Sequence, residues 1–102
     1  MYKIEFYVPG THLEKVKNAM FEAGGGKIGN YDRCCWQIEG IGQFRPLAGS
    51  NPFSGTEGKT EKDPEWKVEM VCEDPVIRSV IAALLENHPY ETPAYQYWKV
   101  EP

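Results

Sequence analysis

From Tyr2 to Val8 the apolar residues Tyr2, Ile4, Phe6 and Val8 fall at every second place, which is the period of a half-buried strand. Pro9-Gly10 ends it. Thr11 followed by Glu14 has the spacing of a capping box, and Leu13, Val16, Met20 and Ala23 then recur at helical intervals until the glycines at 24 to 26 stop the helix. A second alternation predicts a strand closed by Gly40, with Cys34, Trp36 and Ile38 on its apolar side and Arg33, Cys35, Gln37 and Glu39 on the other. Trp66, Val68, Met70 and Cys72 predict a third strand. Asp74-Pro75 then supplies a helix N-cap with proline at the first helical position. Val76, Ile77, Val80, Ile81, Leu84 and Leu85 form a broad apolar stripe as far as Asn87, and His88-Pro89 turns the chain into a last strand, Thr92 to Val100.

Strand, helix, strand thus occurs twice. That order predicts an α+β chain of the ferredoxin-like split β-α-β type over residues 1–102, with a four-stranded antiparallel sheet and both helices on one face. From Gly40 to Pro64 lie five glycines and three prolines, so 40–65 reads as a long loop, with brief edge pairing expected near Phe44-Arg45-Pro46-Leu47. The sheet's second face is left without helices and is expected to carry Tyr7, Val71, Tyr95 and Tyr97 beside Cys35. A surface so apolar predicts burial by another copy, hence a homo-oligomer.

Composition narrows the classes of function. At 102 residues and 41% hydrophobic, the chain has enough apolar material for one packed core. Fifteen acidic against eleven basic residues give a formal charge of −4, and no Lys/Arg cluster offers a local exception, so nucleic acid is not expected as a partner. No basic region followed by an apolar run opens the sequence and no stretch reaches bilayer-spanning length, so a cytoplasmic, membrane-free location is expected. Three cysteines, two of them adjacent, do not make the even framework of a secreted scaffold and predict free thiols.

Several motifs dissolve on inspection. Gly24-Gly25-Gly26-Lys27-Ile28-Gly29 has the letters of a dinucleotide fingerprint, but it ends a helix where that motif must open one. Gly55-Thr56-Glu57-Gly58-Lys59-Thr60 resembles the end of a phosphate loop, yet Phe53 stands where its first glycine should be. His12, His88, Cys34, Cys35 and Cys72 show no metal-ligand spacing, and no metal or cofactor is expected. Cys35 alone is placed for thiol chemistry, without a recognisable base. The densest constellation is His88-Pro89-Tyr90-Glu91-Thr92-Pro93, where imidazole, phenol and carboxylate sit between stiffening prolines. It reads either as a ligand or metal corner, or as a helix end in which His88 satisfies the last carbonyls.

Two segments carry a family resemblance: Gly29-Asn30-Tyr31-Asp32 with Glu39 to Phe53, and His88 to Tyr95. Together they resemble the inserted middle domain of the YqfO-like, dinuclear-metal-centre proteins named for an Ngg-interacting factor, a domain similar in fold to CutA and PII. The resemblance implies a PII/CutA-like fold and a homo-oligomer, with a trimer favoured. The metal-holding halves of the larger proteins have no counterpart here, so their activity is not implied. The residues the motifs mark are Gly29, Asn30, Tyr31, Gly40, Gly42, Phe44, Asn51, Pro52, Phe53, His88, Pro89, Tyr90, Glu91 and Pro93.

The expected function is a small oligomeric binding or regulatory module without catalytic residues, using Asn30, Tyr31, Cys35, His88, Tyr90 and Glu91 toward a small ligand or protein partner. In the split order the turns leaving the two helices are expected at one end of the sheet, bringing Asn30 and Tyr31 toward His88. The alternatives are an assembly or docking module without ligand, and a metal-binding protein or hydrolase using His88, Glu91 and Cys35.

Overall fold

A computed structural model describes all residues from Met1 to Pro102. β1 spans Tyr2–Val8, and its alternation is realised: Ile4, Phe6 and Val8 are fully buried while Lys3, Glu5 and Tyr7 face away. α1 follows at Leu13–Glu22, then β2 at Trp36–Phe44, β3 at Glu61–Cys72, a short 3₁₀ turn at Asp74–Val76, α2 at Ile77–Asn87, and β4 at Tyr95–Lys99. The strands form one antiparallel sheet in the order β2-β3-β1-β4, as the split β-α-β plan requires.

Both helices lie on the face that presents Ile4, Phe6 and Val8 from β1 and Val68, Met70 and Cys72 from β3. Leu13, Val16 and Met20 come down from α1, and Val80 and Leu84 from α2. Each such buried side chain contributes roughly 1.5–3 kcal/mol by leaving water. Sequence turns are less regular than expected. Thr11 caps nothing: its hydroxyl lies 2.9 Å from His12 Nδ1, and Glu14 pairs with Lys17 at 3.1 Å. Asp74 likewise caps no helix end, because its carboxylate is bound to Lys99, which holds it below its ordinary pKa.

Three expectations about faces and loops are corrected. β2 has the opposite orientation: cross-strand pairing of Trp36 with Glu69 and Ile38 with Lys67 puts both apolar side chains on the open face, while Gln37 turns toward α1 and takes a 2.8 Å hydrogen bond from Lys17. Cys34 and Cys35 precede the strand, and Cys35 is exposed in a loop. On β4, Tyr95 and Tyr97 pair with Phe6 and Ile4, so they share the helix-covered face; Tyr95 packs on the core and Tyr97 meets Tyr2 edge-on at 6.0 Å. The open face therefore carries Tyr7, Trp36, Ile38, Val71 and Trp98, crossed by ion pairs Lys3–Glu69 at 3.4 Å and Lys67–Glu5 at 3.3 Å.

The stretch expected as a 40–65 loop is ladder at both ends. β2 and β3 stay paired out to Phe44 opposite Glu61, five pairs past the Glu39–Trp66 pair, the point where β3 leaves β1, and only 45–60 connects them. This two-stranded projection draws the molecule out to 47 × 24 × 23 Å. Glycines at 40 and 42 within a strand do not break pairing when the backbone needs no unusual torsion, and neither has a positive φ.

Candidate functional site

The two helix exits lie at opposite ends of the sheet. α1 stops with a Schellman closure: Gly24, at φ 109°, gives its N–H to Phe21, and Gly25 gives its N–H to Met20. Gly26 then ties this turn to the Cys72 end of β3 by its N–H to the Val71 carbonyl at 2.8 Å, and accepts from Cys34 N–H at 2.8 Å. α2 instead ends beside the last residues of β1, where His88 reaches Tyr7. The internal repeat rotates one half about an axis through the sheet, which reverses strand direction and sends equivalent turns to opposite ends. Asn30, Tyr31 and Cys35 therefore do not meet His88, Tyr90 and Glu91. Tyr31 is three-quarters exposed, its backbone paired with that of Ile28.

What does meet the α2 exit is the 45–60 connection, folded back from the hairpin. The backbone N–H of Asn51 points at the Glu91 carboxylate, 3.1 and 3.3 Å from its two oxygens. The Phe53 ring lies between His12 and Tyr90, at centroid distances of 5.6 and 5.9 Å. The two motif segments, far apart in sequence, thus enclose a cleft of about 260 Å³. Its sheet wall is Tyr7, Gly42, Phe44, Asp63 and Glu65; its outer wall is Pro46, Pro52, Phe53, Tyr90 and Glu91. A smaller hollow of about 110 Å³ continues from Tyr7, Gly42 and Glu65 along the open face to Ile38 and Lys67.

Each polar group in this region has a definite state. His88 is 7% exposed, and both ring nitrogens are engaged: Nε2 lies 2.6 Å from the Tyr7 carbonyl, and Nδ1 accepts the Tyr90 N–H at 3.1 Å. A nitrogen facing a carbonyl must donate and one facing an N–H must accept, so the ring is the neutral Nε2–H tautomer. Burial pushes its pKa below the ordinary value, against the opposing pull of the Tyr7 carbonyl. The proline after it fixes His88 in extended backbone, at ψ 136°, which ends α2 and aims the ring back at β1.

Tyr90 donates its phenol to Glu65 Oε2 at 3.3 Å. Burial and the Glu65 charge push the phenol up to about 12. Burial likewise raises the Glu65 carboxyl, with Asp63 adding to the rise and the Tyr90 hydrogen bond working against it. Gly42 is what admits that carboxylate: a methyl group at 42 would overlap Glu65 Oε1. The sequence marked Phe44, Gly42, Asn51, Pro52 and Phe53 as a site only through family resemblance, placed Tyr7 only on the helix-free face, and did not mark Glu65 or Asp63 at all. Glu65 sits in a polar alternation between Asp63 and Lys67, where nothing in the pattern separates it from a solvated strand edge. No three His, Cys, Asp or Glu side chains converge closely enough to hold a metal ion.

No protein-family model matches the chain. Individual proteins do. The GTP cyclohydrolase 1 type 2 homolog of Halalkalibacterium halodurans is 41% identical over 98 residues, covering 96% of this chain and 26% of that protein. The homolog of Bacillus subtilis is 42% identical over 99 residues, covering 97% of this chain and again 26% of its own length. Among solved structures, a Bacillus cereus protein related to NIF3 superposes with TM-score 0.84 at 36% identity, covering 99% of this chain and 26% of that one. CutA1 from Pyrococcus horikoshii superposes with TM-score 0.71 over all of this chain and 85% of its own, at 19% identity, which is a likeness of fold alone. The chain spans about a quarter of the length of the curated relatives it matches. It is an α+β domain of CutA-like fold, similar over nearly its whole length to a quarter-length segment of GTP cyclohydrolase 1 type 2 homologs and of a protein related to NIF3.

Proposed function

We propose that the domain is an oligomeric binding or regulatory module of the CutA/PII-like type, and that its ligand site is the cleft between the β2–β3 projection and the α2 exit. The observation that carries this is the convergence of both motif segments, through Asn51–Glu91 and Phe53–Tyr90, on one concave space. Of the residues singled out in the sequence, Tyr90 and Glu91 line that space and His88 fixes the turn that presents them. Asn30, Tyr31 and Cys35 have no part in it.

Sister copies are the proposed cover for the open face. Trp36, Ile38 and Trp98 there are 56, 51 and 43% exposed, an amount of aromatic and aliphatic surface that favours association. A trimer is the arrangement favoured, in the cytoplasm, in keeping with three unpaired thiols. The hollow that runs from the cleft along this face puts Tyr7, Gly42 and Glu65 at the rim of such an interface. A hydrolytic or metal role for His88, Glu91 and Cys35 has little support, because both His88 nitrogens are engaged and Cys35 sits near the α1 exit.

The test is a metabolite library screened by amide chemical shifts on the full chain, with mass in solution measured alongside. A binder is expected to move the amides of Asn51, Phe53, Tyr90 and Glu91 and to lose affinity in Gly42→Val, and the mass is expected at three chains. Binders that move only residues around Asn30 and Tyr31 would place the site elsewhere, and a monomer at tens of micromolar would remove the assembly.

A further inference from the structure

The cleft's walls are of two kinds. Four aromatic rings, Tyr7, Phe44, Phe53 and Tyr90, line it together with three carboxylates, Asp63, Glu65 and Glu91, and no lysine or arginine is among its lining residues. Elsewhere in the molecule Glu5, Glu14, Glu22, Glu69 and Asp74 take part in ion pairs, and Asp32, Glu39, Glu57, Glu73, Glu86 and Glu101, which do not, are exposed to water, whereas Asp63 and Glu65 are half-buried. Asp63, Glu65 and Glu91 take part in none. Glu65 has only a phenol for a partner and Glu91 only a backbone N–H. Carboxylates so placed without a cation favour a positive charge between them, and the Glu65 carboxyl is raised, first by burial and then by its neighbour Asp63.

Ring faces and carboxylates attract cations by separate means, one through the quadrupole and the other through charge, and together they disfavour an anion. The choice between a metal ion and an organic cation follows from size and donor geometry. A metal needs several donors closing on one point, and no such convergence exists here, whereas the space is about 260 Å³ and walled largely by carbon. That is just under the range of pockets that hold drug-sized ligands.

We propose that the cleft receives a small organic cation, an ammonium or guanidinium group lying toward Glu65 and Asp63 with its apolar body against the Phe53 and Tyr90 rings. This rests on the cleft being the ligand site, and it adds the ligand's charge and class. Phe53 belongs to the exposed connection and is itself 51% exposed, so it closes over the ligand's body while Glu65, held on the sheet by Gly42 and Tyr90, stays fixed.

The experiment uses four probes of matched or smaller size on the full-length chain, followed by amide shifts: benzylamine, benzyl alcohol, benzoate and zinc chloride. Benzylamine is expected to saturate shifts at Phe53, Tyr90 and Glu91, with affinity falling as salt is raised. Glu65→Gln and Asp63→Asn are each expected to weaken it about tenfold, as loss of one charge contact would. Phe53→Ala, on an exposed connection outside the core, is expected to weaken it while the chain stays folded, so the result does not hang on whether the charge variants fold. Equal binding of benzyl alcohol or benzoate would overturn the cationic assignment and leave the cleft a ligand site. Zinc displacing benzylamine from the same amides would overturn it in favour of a metal. No shift with any probe would overturn it also, and the metabolite screen then judges the ligand site by itself.

Discussion

The turns leaving α1 and α2 stand in equivalent places in the two halves, yet they are held by different means. After α1 the closure is made of backbone: Gly24, Gly25 and Gly26 bind Phe21, Met20, Val71 and Cys34 through main-chain groups, and the side chains beyond them, Asn30 and Tyr31, stay in solvent. After α2 the closure is made of side chains, with the His88 ring bonded on both edges, Tyr90 on Glu65, and Glu91 on Asn51. A turn of the first kind fixes a path. A turn of the second kind also fixes the direction of chemical groups, and it is there that a concave, mixed-polarity surface forms. Motif density in sequence therefore had two meanings, and only contacts between distant segments told them apart.

The largest expected effect of breaking this comparison is at His88. His88→Ala leaves the Tyr7 carbonyl and Tyr90 N–H without partners in a buried place and opens a void, and should cost about 3 kcal/mol in urea unfolding. Next comes Gly26→Ala in the other turn: at φ 75° an added Cβ would lie 2.8 Å from the Cys34 carbonyl oxygen, and about 2 kcal/mol of stability should be lost with the cleft's amide shifts untouched. The His88 ring also sets a pH dependence. Its folded pKa lies below the ordinary 6.5, so the unfolded chain takes up a proton first as pH falls. Its contribution is complete above 6.5 and is lost between 6.5 and the lower folded value, and the slope of stability against pH in that window should vanish in His88→Gln. Tyr90→Phe is milder, at about 1 kcal/mol, and should remove from the ultraviolet titration a phenol that ionises at about 12. The smallest effect is expected for Tyr31→Ala, below about 0.5 kcal/mol, since the ring touches little.

Much of the scaffold was legible because period-2 and period-3.6 patterns report burial directly. β1 falls where alternation placed it, Tyr2–Val8, and α1 and α2 follow their apolar stripes. What alternation cannot report is which of two faces a set of residues joins. Trp36 and Ile38 share a side, as their spacing said, but the ladder to Glu69 and Lys67 puts that side opposite the helices. Tyr95 and Tyr97 were assigned to the open face for the same reason and belong to the other. The site was legible in halves. His88 to Glu91 stood out by chemical density, and Gly42 to Phe53 by resemblance, but their meeting depends on β2 and β3 pairing through a glycine- and proline-rich stretch that reads as loop. Glu65 and Asp63 carried no signal, since a strand edge facing water would show the same polar residues.

Beyond Trp66 the sheet narrows from three or four strands to two, and the ribbon of Gly40–Phe44 with Glu61–Glu65 stands out like a cantilever. A pair of strands twists more freely than a full sheet, and what ties this beam to the Tyr90 turn is the Tyr90–Glu65 and Asn51–Glu91 hydrogen bonds, so the aperture is only as stiff as those bonds. Mechanical load applied there by an adjoining chain would be felt as a wider or narrower mouth, without any change in the packed body beneath.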